Sequence, residues 1–422
     1  MGLNEVVSAE RVHIGFFGMR NAGKSSVVNA VTGQDLSVVS EVKGTTTDPV
    51  KKAMELLPIG PVVIIDTPGL DDEGALGELR VKKAREILNS TDIAVLVTDV
   101  TKGLSGEDRE LISLFREREI PYLVVYNKTD LLEENEKKNG NVSDAEEAEA
   151  SPDAEEKTAG KKEREIRVSA LTGEGIHALK EALGDFAKAN KKEEKFVVAD
   201  LLKPGDFVVL VIPVDESAPK GRLILPQQLV MRELLDHHYS FVCCQDTDLK
   251  ETLCKLKEKP ALVITDSQAF EKVAKDTEED VMLTSFSILM ARYKGGLKVQ
   301  IQGAKKLSAL QDGDTVLISE GCTHHRQCKD IGTVKMPGWI GNYTQKQLNY
   351  RFTSGGEFPE DLSGISLVVH CGGCMLNEAQ MKSRVKRAVE AGVPIVNYGI
   401  AIACMHGILK RSLACIPDTD LP

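Results

Sequence analysis

From residue 12 to about residue 187, short apolar runs alternate with stretches of helical periodicity, the rhythm of an α/β unit. The strands this predicts are 12–17, 62–66, 93–98, 122–126 and 166–169. Between the last two lies 133–162, rich in Glu, Ala, Lys and Asn and almost without large apolar residues. Such a stretch cannot bury enough surface to offset the entropy of ordering, and it is expected to be a disordered acidic insertion. The polar run 190–195 reads as a linker, and a second α/β unit follows it. Its expected strands are 207–214, 241–243, 261–265 and 281–283, with helices at 226–237 and 248–257. A third unit begins near residue 297, with apolar runs at 315–319, 366–369 and 394–398. A helix at 377–391 separates the last two runs, so the strand–helix–strand order predicts a parallel pair. The reading is an α/β protein of three domains, 1–190, 196–296 and 297–422.

Length agrees with this division, because 422 residues exceed what one hydrophobic core of ~250–300 residues accommodates. No run approaches the ~20 apolar residues of a membrane span, and the first residues lack the basic flank and apolar block of a signal peptide, so a soluble cytoplasmic protein is expected. The net charge of −11 argues against a general nucleic-acid-binding surface. Nine cysteines, none before Cys243, point to metal or redox chemistry in the C-terminal half rather than to a disulfide framework.

Gly18-Met19-Arg20-Asn21-Ala22-Gly23-Lys24-Ser25 fits the phosphate-loop pattern between a strand and a helix opening at Ser26. The glycines let backbone N–H groups turn toward phosphates, Lys24 reaches the β and γ phosphates, and Ser25 offers a hydroxyl to magnesium. Ile64-Ile65-Asp66-Thr67-Pro68-Gly69 ends a buried strand in a carboxylate that can hold magnesium through water, while the Gly69 N–H meets the γ-phosphate. Asn127-Lys128-Thr129-Asp130 resembles the base-specificity motif of the translation-factor-like GTPases, in which the aspartate accepts two hydrogen bonds from the guanine edge. Ser169-Ala170-Leu171 matches the last motif of that family, which implies that the Ala170 N–H meets guanine O6. Asn21 and Gly44-Thr45-Thr46-Thr47-Asp48 resemble the group containing Era and MnmE. That resemblance implies a Ras-like P-loop GTPase fold, a potassium ion bound by Asn21, and Thr46, with Thr45 as the alternative, as the magnesium ligand of the switch. Leu70 stands where Ras-like proteins carry their water-orienting glutamine, so hydrolysis must use another device. A monovalent cation against the phosphates can neutralise developing charge.

Gly321-Cys322-Thr323-His324-His325 and Val368-Val369-His370-Cys371-Gly372-Gly373-Cys374 each follow an apolar run, so both lie just beyond strand ends, where loops of an α/β sheet converge on ligands. A Cys-x-x-Cys with two glycines can bring both thiolates to a metal, and a third cysteine arrives from the other loop. Three thiolates suit a 4Fe-4S cluster with one differently ligated iron. The spacing alone leaves iron–sulfur, zinc and structural cysteines open, with His324, His325 and His370 as ligands or neighbours. Cys328, Cys404, Cys415, Cys243, Cys244 and Cys254 have no partner at a convincing spacing and read as structural.

The Cys-x-His at 322–324, followed by His-Cys-x-x-Cys at 370–374 on a chain that opens with a potassium-type GTPase, resembles the HydF family of FeFe-hydrogenase maturation GTPases. The resemblance covers the chain in order: GTPase, dimerisation and cluster domains. It implies that Cys322, Cys371 and Cys374 hold a 4Fe-4S cluster, with His324 and His370 near the fourth iron. It further implies a homodimeric scaffold that uses GTP, Mg2+ and K+, receives a diiron precursor made with radical-SAM maturases, and delivers it to apo-FeFe-hydrogenase. The competing expectation is an RNA-modification or ribosome-associated GTPase with a zinc-stabilised C-terminal domain.

Overall fold

The computed structural model describes residues 11–33, 50–67, 85–132, 164–189, 195–214, 223–322 and 330–417. They divide into two compact units, one within Glu10–Lys192 and the other within Glu193–Pro422. The expected insertion at 133–162, the switch threonines Thr45 and Thr46, and Gly69, Leu70, His324, His325 and Cys328 lie outside the described residues.

In the first unit the strands are β1 (Val12–Phe17), β2 (Val50–Leu56), β3 (Gly60–Asp66), β4 (Ile93–Asp99), β5 (Tyr122–Asn127) and β6 (Arg164–Arg167), in the order β2-β3-β1-β4-β5-β6. Every pairing is parallel except that of β2 with β3. β4 is buried along its whole length because helices cover both faces of the sheet, as parallel sheets require. Val27, Val28 and Val31 of α1 (Lys24–Thr32) and Leu179 and Leu183 of α3 (Ile176–Ala189) pack on one face. Leu111 and Phe115 of α2 (Gly106–Glu117) pack on the other. The final strand lies two residues earlier than expected: the Val168 N–H still donates to the Tyr126 carbonyl at 2.8 Å, but Ser169 turns toward Asp130. Gly18 ends β1 at φ 145°, where a Cβ would stand 2.2 Å from the Val97 carbonyl oxygen, so the phosphate loop leaves the sheet against β4 by a path only glycine takes.

The second unit holds two parallel four-stranded sheets. One, ordered β10-β9-β7-β8, is built from β7 (Phe207–Val211), β8 (Ser240–Cys244), β9 (Leu262–Thr265) and β10 (Met282–Ser285). The other, ordered β12-β11-β13-β14, is built from β11 (Thr315–Ser319), β12 (Asn349–Thr353), β13 (Leu367–His370) and β14 (Ile395–Asn397). β13 and β14 pair parallel across the helix Glu378–Glu390, as the strand–helix–strand pattern implied. One continuous core joins the sheets: Val209, Val263 and Leu283 from the first and Val316, Ile318, Val369 and Val396 from the second belong to the same apolar cluster. The helix Tyr398–Met405 runs through that cluster with Ile400, Ala401, Ile402 and Ala403 all buried. Among the described residues no helix is long and apolar enough to cross a membrane.

Candidate functional site

The loop from β1 to α1 places the phosphate-binding residues at the C-terminal edge of the first sheet. Gly23 caps α1 at φ 82°, where a Cβ would lie 2.2 Å from Asn127 Nδ2, and Asn21 is also left-handed at φ 64°. Asn21 and Ser26 are exposed, whereas Lys24 is buried. The Lys24 ammonium donates to the Thr67 carbonyl oxygen and to Thr67 Oγ1 at 3.2 Å, and it stands 3.7 Å from Asp66. Ser25 Oγ donates to Asp66 Oδ2 at 3.3 Å, while Asp66 Oδ1 is buried with no hydrogen-bond partner. Burial pushes the Asp66 carboxyl above its ordinary value against the pull of Lys24.

Asn127 ties three motifs together. Its Nδ2 donates to the Ala22 carbonyl at 3.0 Å, and its Oδ1 accepts from the Ala170 N–H at 3.0 Å. Ser169 Oγ donates to Asp130 Oδ1 at 2.5 Å and fixes the carboxylate from below. Lys128, left-handed at φ 71°, donates to Asp99 Oδ2 at 2.7 Å. Asp99, at the end of β4, is a member of this site that the sequence reading did not single out. The Asn127 side chain is 2% exposed, so Asn127→Ala strands the buried Ala22 carbonyl and the half-buried Ala170 N–H and should cost about 1–3 kcal/mol. In a thermal melt of nucleotide-free protein, that corresponds to a lowering of roughly 2–12 °C for the first unit; an unchanged midpoint would show that Asn127 does not brace the motifs.

The second constellation follows from strand register. Ser319 of β11 pairs with His370 of β13, so the chains leading to Cys322 and Cys371 leave the sheet side by side at one edge. The Cys371 N–H donates to the Ser319 carbonyl at 3.0 Å. Its sulfur accepts from the Gly321 N–H at 3.0 Å and the Gly373 N–H at 3.4 Å. The Cys322 thiol also donates to it, which holds Cys371 well below the ordinary thiol range, with the His370 side chain assisting and burial opposing. The same hydrogen bond, together with burial and the neighbouring thiols, raises Cys322. Burial and the charge of Cys371 push the Cys374 thiol up to about 11, with Lys294 opposing. Three thiols from two loops thus share one charge environment. Among the described residues no set of three His, Cys, Asp or Glu side chains stands ready to hold a single metal ion.

His370 is fully buried, with Nδ1 2.6 Å from the Cys371 carbonyl oxygen and Nε2 2.9 Å from Arg384 Nη1. A guanidinium only donates, so Nε2 is the acceptor, and Nδ1 carries the proton and donates it in a hydrogen bond to the Cys371 carbonyl oxygen. Of the two roles left open for His370, ligand or neighbour, this arrangement is that of a neighbour: both ring nitrogens are engaged, and the side chain anchors the Cys371 loop. Arg384 also donates to Ser319 Oγ at 3.2 Å and to the Gly355 carbonyl at 2.6 Å, and the Gly355 N–H donates to the Cys322 carbonyl at 3.2 Å. Both cysteine loops therefore hang from one buried guanidinium, whose pKa burial lowers to about 10. Its sequence signal is an arginine on the buried face of the helix Glu378–Glu390, three residues after Met381 and four before Ala388. Of the cysteines read as structural, Cys404 and Cys415 pack against the shared core, while Cys243 and Cys254 are exposed.

Two sequence models of one family cover the second unit. The Hydrogen maturase F dimerization domain matches residues 197–295, and the Hydrogen maturase F tetramerization domain matches 298–415. The chain belongs to the hydrogen maturase F (HydF) family. The match to the tetramerization domain of HydF takes in both cysteine loops, and a model described as 50S ribosome-binding GTPase matches 13–128. GTPase Der of Kosmotoga olearia is 35% identical over 133 residues, which is 30% of this chain and 30% of that protein. tRNA modification GTPase MnmE of Desulforamulus reducens is 38% identical over 115 residues, 27% of this chain and 24% of its own length. The chain thus spans less than a third of these curated relatives. A crystal structure of Era in complex with MgGDPNP and a segment of 16S ribosomal RNA aligns with 56% of this chain and 91% of its own, at 19% identity and a TM-score of 0.31.

Proposed function

We propose that the chain binds and hydrolyses GTP and serves as scaffold and carrier in FeFe-hydrogenase maturation. In this reading Cys322, Cys371 and Cys374 hold a 4Fe-4S cluster, and a diiron precursor made with radical-SAM maturases is carried as cargo to the apo-hydrogenase. The observation that carries it is the meeting of Cys322 with Cys371 beside Cys374 at two adjacent parallel strand ends, within a HydF-specific domain. The donor set fits an iron–sulfur group: the thiols are soft ligands, and the N–H groups of Gly321 and Gly373 already aim at a sulfur, the kind of hydrogen bond that tunes such centres. When bound, the cluster supplies an iron with a position open to an external ligand.

The nucleotide half of the proposal rests on the side chains around the first sheet. Asp130 would read the guanine N1 and N2 edge, Ala170 N–H its O6, and Lys24, Gly18, Ala22 and Gly23 the phosphates, with Lys128 along the base and Ser26 in the first helical turn. Asp66 Oδ1, buried without a hydrogen bond and 3.7 Å from the Lys24 ammonium, suits a divalent cation, which would favour the charged carboxylate that burial disfavours. Ser25 and Thr46 would ligate Mg2+ directly and Asp66 through water, with Gly69 on the γ-phosphate and Asn21 on K+. Hydrolysis is expected to run faster in K+ than in Na+ at equal ionic strength, and Asn21→Ala to abolish that difference; equal rates in the two salts for the native chain would remove potassium from the account. Like the carrier role, a cytoplasmic homodimer belongs to this reading.

Anaerobic loading with iron and sulfide tests the cluster directly. The expected result is a brown protein with roughly four irons per chain and an EPR signal on reduction. A colourless zinc protein whose hydrolysis responds to RNA would overturn the reading.

A further inference from the structure

Lys294 follows the helix Phe286–Tyr293 in the part matched by the dimerization domain, yet its side chain ends in the cysteine loop of the tetramerization domain. It is 3% exposed, and Nζ donates to the Gly373 carbonyl at 2.8 Å and to the Leu376 carbonyl. Those two oxygens bracket Cys374. We propose that Lys294 is a positioning residue of the thiol site, fastening the loop from Cys371 to Leu376 and placing a buried positive charge against the anionic centre held there. The inference rests on the cluster reading above.

Three observations support it. Gly373 is left-handed at φ 62°, with a Cβ position 2.4 Å from Met381 Sδ, so the loop is pinned by Met381 on one side and by the ammonium on the other. A lysine buried to this degree loses several kcal/mol of hydration, which carbonyl dipoles offset only in part; its ammonium sits on the two carbonyls that flank Cys374 in the chain. Lys294 also lines, with Cys371 and Gly372, a cavity of about 160 Å3; Lys382 and Lys386 line it too but are paired with Glu378 and Glu390, which leaves Lys294 as the cation whose partners there are carbonyl oxygens. A cluster bound by three thiolates carries net negative charge, and one more electron adds to it. A fixed cation beside the loop therefore favours both retention of the centre and its reduction.

The test uses the full chain, reconstituted anaerobically with iron and sulfide, comparing the native protein with Lys294→Met and Lys294→Arg. The methionine keeps the length and loses the charge; the arginine keeps the charge. Lys294→Met is expected to release iron to a chelator about 10–100-fold faster, the range seen for partners of metal ligands. Its midpoint potential should fall, while GTP affinity stays at the native value. Lys294→Arg should restore the potential, an outcome that loop packing alone does not predict. A methionine variant with native release rate and potential would overturn the proposal, and so would an arginine variant shifted as far as the methionine one. The arginine result stands by itself if the methionine variant does not fold. Native protein that takes up no iron defeats the cluster reading instead, so the two failures are told apart.

Discussion

Asp130→Asn is expected to weaken GTP binding by two to three orders of magnitude and to turn the site toward xanthosine nucleotides, leaving iron content unchanged. The carboxylate is held by Ser169 Oγ at 2.5 Å, so the acceptor for one base edge is in place before any base arrives, while the Ala170 N–H donates to Asn127 at 3.0 Å and would turn to guanine O6 on binding. Guanine presents N1–H and N2–H to that carboxylate. An amide keeps one acceptor and offers a donor to the second position, so one charge-assisted hydrogen bond becomes a clash of donors. Losing one such bond at ~1.5–3 kcal/mol, together with the charge assistance of the other and the clash of donors, gives about 3–4 kcal/mol, or roughly 100–1,000-fold. Xanthine carries a carbonyl where guanine carries its amine, so it accepts from the new amide. Competition between fluorescent GTP and XTP reads this directly. Native-like GTP affinity in a folded Asp130→Asn protein would remove Asp130 from base recognition.

The parts of the molecule legible in the sequence are those fixed by local pattern. The phosphate loop was readable because strand, glycines, lysine and helix are contiguous, and β11 was readable because five apolar-rich residues end where the polar Glu320 begins. The edge strands β2 and β12 were not: Val-Lys-Lys-Ala-Met-Glu-Leu and Asn-Tyr-Arg-Phe-Thr each carry polar residues on an open side, and what makes them strands is a partner elsewhere in the chain. Cysteine spacing marked the two loops, and the resemblance to HydF implied the ligand set proposed above. Neither could supply the register of Ser319 with His370 that brings the loops together. The cations around the thiols were hidden for a related reason. Lys294 reaches Gly373 across 79 positions of sequence, and nothing in the residues near it marks that contact. Arg384 left a weak trace in helical periodicity, but its role as the hub of Ser319, His370 and Gly355 is tertiary. His370 shows how a motif residue can be found while its contacts stay hidden, since only the geometry tells that Arg384 lies 2.9 Å from its Nε2.

Cys371→Ser should reduce bound iron from roughly four atoms per chain to near zero after anaerobic reconstitution, with GTP affinity changed less than about twofold. Cys371 is the acceptor of the group, its sulfur taking hydrogen bonds from the Gly321 N–H, the Gly373 N–H and the Cys322 thiol, an environment that favours its thiolate. A serine hydroxyl in its place is smaller, hard rather than soft, and does not ionise near neutral pH, so the ligand is lost while the backbone hydrogen bond from residue 371 to Ser319 can persist. The matching control is Cys243→Ser, because Cys243 is exposed on β8 in the other sheet and should leave iron content at the native level. The pair separates loss of a ligand from the general effect of removing a thiol. Asp130 and Cys371 belong to different compact units, each with its own core, so a lesion in one leaves the packing of the other intact. A folded Cys371→Ser protein that keeps its iron would take that sulfur out of the cluster, and one that loses GTP binding as well would end the division of the chain into a nucleotide half and a metal half.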